Sequence, residues 1–83
     1  MKKVIYVLTL YDCAAINDGC NGYEVLSAYD SVEDAKKGML NYYNNYIALN
    51  YNSLIANTIE EMEVCLDELN YCYEINDIHY YTR

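Results

Sequence analysis

The run Lys3–Tyr11 constrains the fold of this chain more than any other stretch. Val4, Ile5, Tyr6, Val7, Leu8, Thr9 and Leu10 are β-branched, aromatic or aliphatic, the types that favour extended backbone. Side chains alternate between the two faces of a strand, and here both faces are largely apolar. Such a strand belongs in the middle of a sheet, with helices on one side and a second cover on the other. A chain of 83 residues has little left to build that second cover, so a second copy is a candidate for it, and a homodimer is the corresponding expectation.

The remaining elements follow from caps and periodicity. Asp12–Gly22 is rich in turn formers and reads as a loop. Tyr23–Tyr29 is the return strand, with Tyr23, Val25, Ser27 and Tyr29 expected on one face and Glu24, Leu26 and Ala28 on the other. Ser31 is placed to cap a helix whose first turn carries Glu33 and Asp34. An apolar stripe of Val32, Ala35, Met39, Leu40, Tyr43, Tyr46 and Ile47 predicts that this helix runs to about Leu49, weakened by Gly38 off the stripe. Asn50–Asn57 reads either as a connector or as continuing helix, because Leu54, Ile55 and Ala56 keep the period. Thr58 and Glu61 form a T-x-x-E capping box and a fresh helix start. Tyr71–Tyr81 is the last strand, with a bulge expected at Asn76-Asp77. The prediction is one α+β domain over residues 1–83, of ββααβ order: a three-stranded antiparallel or mixed sheet, first strand central, with two helices on one face.

The second helix is the strongest functional clue. Over Thr58–Asn70, about 100° per residue puts Ile59, Met62, Cys65, Leu66 and Leu69 on one arc. Glu60, Glu61, Glu63, Asp67 and Glu68 fall on the opposite arc with Val64 among them, and no Lys or Arg lies in the stretch. The whole chain has 13 acidic and 5 basic residues, a formal net charge of −8. Phosphates would repel it, which argues against direct nucleic-acid binding, whereas basic protein surfaces would attract it. The five carboxylates are therefore the predicted partner-binding residues, imitating a phosphate backbone toward a nuclease or another basic nucleic-acid-binding protein. The plainer account of the same face is a solvated surface that keeps a small protein in solution.

Other chemistry finds little footing. Cys13, Cys20, Cys65 and Cys72 form two C-x6-C pairs, unlike the close pairs of zinc sites, and reduced thiols are expected, with Cys13–Cys20 the pair that an oxidising setting could bridge. His79 is the only histidine and reads as a surface strand residue; no nucleophile-elbow signature accompanies it. Gly19, Gly22 and Gly38 make no phosphate-binding loop. The clustered carboxylates sit on a convex face rather than across a cleft. No enzyme activity, metal or cofactor is expected. The segment MKKVIYVLTLYDC lacks a small-residue cleavage site, and no stretch is long and apolar enough to span a bilayer, so a cytoplasmic protein without a membrane role is expected.

The segments KKVIYVLTLYD, GYEVLSAYDSVEDAKK and YEINDI resemble small acidic proteins of phages and mobile elements in low-GC bacteria. The resemblance covers Lys2–Lys37 and Tyr73–Ile78 and leaves the acidic helix outside it. It carries fold motifs and no catalytic residues. It implies a hairpin, a helix opened by Ser31 and a closing strand. By class it implies an anti-CRISPR-like, anti-defence inhibitor of a host nuclease, acting in the host cytoplasm. The alternatives are a self-assembling structural or regulatory phage protein and a module that sequesters a small ligand between helices and sheet.

Overall fold

The computed structural model describes residues 2–14, 19, 22–52 and 54–81. The element order is β1 (Lys2–Asp12), β2 (Tyr23–Tyr29), α1 (Val32–Tyr42), α2 (Ile59–Glu68) and β3 (Tyr71–Tyr81). The helix begun by α1 continues through a π-helical turn, Tyr43–Ile47, and a last turn, Ala48–Asn50. The sheet is antiparallel throughout, in the order β2-β1-β3. The fold is thus the expected ββααβ arrangement with the doubly apolar strand in the centre.

The predicted bulge lies in a different strand. β1 and β3 pair without interruption from Lys2–Tyr81 to Asp12–Tyr71, so Asn76 faces Val7 and Asp77 faces Tyr6. The irregularity is in β2 instead: Leu8 faces Ser27 but Thr9 faces Val25, which leaves Leu26 as the extra residue. This also corrects the expected faces of β2. Ala28, opposite Val7, joins Tyr23 and Val25, while Tyr29, opposite Tyr6, joins Leu26. Strict alternation cannot put residues three apart on one face. The bulge does so, and both Leu26 and Tyr29 pack on the core.

The core lies on one side of the sheet. Leu8 and Leu10 of β1 meet Met39, Tyr43, Ile47 and Ala48 of the first helical run and Met62 and Leu66 of α2, all buried. Ser31 Oγ caps α1 by accepting from Asp34 N at 3.1 Å. Gly38 has a larger part than a weak point in the helix: a Cβ there would collide with the Tyr29 ring, which crosses the helix at that position. Tyr51 and Asn52 end the run in a turn, Asn52 at φ 52°, and residues 54–57 are not helical, so the described residues beyond Asn50 form a connector and not continuing helix. Asn70, at φ 64°, is the left-handed residue that turns α2 into β3.

Among the described residues no helix covers the opposite face of the sheet, and the Cα trace is 17 Å in its smallest extent, room for a sheet and one helical layer. Ile5, Val7 and Tyr11 lie there beside Ile78, Ala28 and Tyr23, their cross-strand neighbours. These neighbours shield them in part: Ile5, Val7 and Tyr11 are half-buried and Thr9 is 6% exposed. No helix of the described residues is long and apolar enough to cross a membrane.

Candidate functional site

Burial of Met62 and Leu66, with Ile59, Cys65 and Leu69 half-buried, fixes the rotation of α2 about its axis. The same rotation leaves Glu60, Glu61, Glu63, Asp67 and Glu68 exposed, as the periodicity predicts. Thr58 Oγ1 accepts from Glu61 N at 3.2 Å and anchors the first turn. Glu61 Oε2 in return accepts from Asn57 N at 2.8 Å, one residue beyond the usual capping-box donor.

The five carboxylates are not equivalent. Glu61 is held by the cap, and Glu63 Oε2 accepts from the Tyr73 hydroxyl at 3.1 Å. Burial first, and then the carboxylate of Glu63, push the Tyr73 hydroxyl up to about 12. Glu60, Asp67 and Glu68 make no such bond among the described residues. The one ion pair among the described residues is remote from α2: His79 Nε2 to Asp77 Oδ2 at 2.7 Å on β3. Among the described residues the acidic face therefore has no cationic partner.

The acidic face also divides into two flanks. Glu63 and Asp67 border a small recess of about 190 Å³ beside Tyr71, Cys72 and Tyr73. Glu60, Glu61 and Glu68 border a shallow depression of about 440 Å³ floored by Leu54, Ile55, Val64 and Cys65. Leu54 is 81% exposed, Ile55 64% and Val64 59%. The sequence does not single out this apolar ridge, because Leu54-Ile55-Ala56 fits a connector and a continuing helix alike. Only Ala56 is core, 2% exposed. The Asn44 side chain clamps it, donating to Ala56 O and accepting from Ala56 N, both at 2.9 Å. The buried Tyr43 hydroxyl donates to Leu54 O at 2.8 Å. These bonds hold the connector backbone down and turn Leu54 and Ile55 outward.

Cys13, Cys65 and Cys72 are free thiols. Cys13 Sγ lies 3.0 Å from Cys72 Sγ, joining the end of β1 to the start of β3, while Cys20, the partner expected from sequence, lies outside the described residues. The hydrogen bond with Cys13 is the chief reason that the Cys72 thiol is pushed up to about 11. Cys65 sits on the inner side of α2, as its spacing suggests. No family model matches the chain, and no curated protein or solved structure matches it.

Proposed function

We propose that this chain is a non-enzymatic binding protein of the anti-defence type. It docks the exposed face of α2 on the basic channel of a nucleic-acid-binding nuclease complex and thereby inhibits it. The observation that carries this reading is the run of exposed carboxylates along α2, without a cationic partner among the described residues and bordered by the ridge of Leu54, Ile55 and Val64. Charge on a rigid helix supplies the long-range attraction to a basic surface. An exposed apolar centre with a charged rim supplies the short-range contact that a charged face alone would lack.

The test uses purified RNA-guided nuclease complexes, assayed for target-DNA binding and cleavage with and without the protein. Glu61 and Glu63 carry structural bonds, so the clean variant reverses Glu60, Asp67 and Glu68 to Lys. Inhibition by the wild type that is lost in this folded variant supports the reading. Inhibition of no complex, or inhibition that survives the reversal, rejects it.

A second reading is self-assembly through the open sheet face, favoured by Tyr23, Val25 and Ile78, which are 60%, 59% and 47% exposed there. It expects a light-scattering mass of twice 9.7 kDa, and a monomer at high concentration removes it.

A further inference from the structure

Five of the twelve tyrosines, Tyr23, Tyr42, Tyr46, Tyr51 and Tyr71, line one cleft. The cleft holds about 500 Å³, within the usual range of small-ligand sites, and opens between the first helical run and the sheet. Tyr42 and Tyr46, one turn apart on that run, form one wall with ring centroids at 5.0 Å. Tyr51 and Tyr71 form another, edge to face at 5.9 Å and joined by a hydroxyl–hydroxyl bond of 2.9 Å. Glu24 of β2 adds a carboxylate to the lining, which Asp12 of β1 also borders, and among the described residues no lysine or arginine lines it.

We propose that this cleft is a binding site for an organic cation, an alkylated ammonium group held between tyrosine rings and the carboxylate of Glu24. The faces of aromatic rings carry negative potential and attract cations, most of all where water is partly excluded. An anionic ligand would meet the carboxylate of Glu24 and, among the described residues, no lysine or arginine. A neutral apolar ligand would gain nothing from Glu24. The site's own tyrosines already feel this field: burial, and then the neighbouring carboxylate of Glu24, raise the Tyr42 hydroxyl above its ordinary value. This site is separate from the acidic face of α2, and its existence does not depend on the function proposed for that face.

The test titrates the whole protein with choline and with its uncharged isostere 3,3-dimethylbutan-1-ol, following amide and tyrosine-ring NMR shifts. Choline is expected to bind saturably and to shift Tyr42, Tyr46, Tyr51 and Tyr71, and the alcohol is not. Tyr46, 58% exposed, is the wall residue least needed for folding, so Tyr46→Ala is the first variant. Tyr46→Ala and Glu24→Gln should each weaken choline by roughly tenfold with the circular dichroism unchanged. A triple variant, Glu60, Asp67 and Glu68 to Gln, should leave choline affinity as it was. A lysine-containing tripeptide amide, titrated in parallel, tells a free cation from a side chain of a basic protein as the natural source. No binding of either cation, equal binding of the alcohol, or a loss in the triple variant as large as in Glu24→Gln would overturn the proposal.

Discussion

The Tyr73 hydroxyl donates to Glu63 Oε2 at 3.1 Å, tying edge strand β3 to the middle of the acidic helix. One of the five carboxylates thus serves the packing of α2 on the sheet. Tyr73→Phe should cost about 1 kcal/mol, the ordinary worth of a hydrogen bond to a charged acceptor at a half-buried site. The same change should leave the far flank of α2, with Glu60 and Glu68, unaltered. Urea unfolding of the two proteins measures the first, and amide shifts the second.

The chain should lose stability in alkali from about pH 9. Unfolded, Cys72 and Tyr73 ionise near 9.0 and 10.0; folded, they hold their protons to about 11 and about 12. Between those limits the unfolded state sheds protons that the folded state keeps, so rising pH favours unfolding. The stability that these groups contribute is complete below pH 9 and lost as pH climbs through the folded values. Under reducing conditions the urea midpoint should fall from pH 9 upward in the wild type, and only from about pH 10 in Cys72→Ser.

Gly38→Ala should destabilise despite the better helix former. Alanine favours a helix interior over glycine by about 1 kcal/mol, but its Cβ would drive into the Tyr29 ring. Displacing that half-buried ring is expected to cost about 1–3 kcal/mol, enough to reverse the sign. With Tyr29→Ala already in place, the same substitution should stabilise by up to about 1 kcal/mol. Denaturant unfolding of the four proteins in a double-mutant cycle reads the sign change directly.

Asn44→Ala should cost about 2–3 kcal/mol. It strips both partners from the backbone of Ala56, which is 2% exposed, and buried polar groups left unpaired are costly. The amide of Ala56 should lose hydrogen-exchange protection, and the ridge of Leu54 and Ile55 should loosen with it.

Oxidised glutathione should close a Cys13–Cys72 disulfide. One protein thiolate attacks the glutathione disulfide and releases one thiol; the second attacks the mixed disulfide and releases the other. The products are one protein disulfide and two reduced glutathiones. Because the cysteines are 59 residues apart, the chain-entropy model gives about 4 kcal/mol of stabilisation. Peptide mapping should find Cys13 joined to Cys72, and a Cys72 left reduced would reject the prediction.

Local sequence was enough for the order of elements, the caps at Ser31 and Thr58, the central place of β1 and the outward turn of the five carboxylates. These follow from side-chain type and from helix or strand period, which act over a few residues. Tertiary contact decided the rest. The bulge moved from β3 to β2 because Leu26 and Tyr29 both had to reach the core. Gly38 gained a role only when the Tyr29 ring crossed it. Leu54 and Ile55 fitted a connector or a helix until the Asn44 clamp on Ala56 turned them outward, and Cys13 met Cys72 through strand pairing across most of the chain. The tyrosine cleft is of the same kind: its lining comes from Leu10 to Tyr71, brought together by packing that no local period encodes.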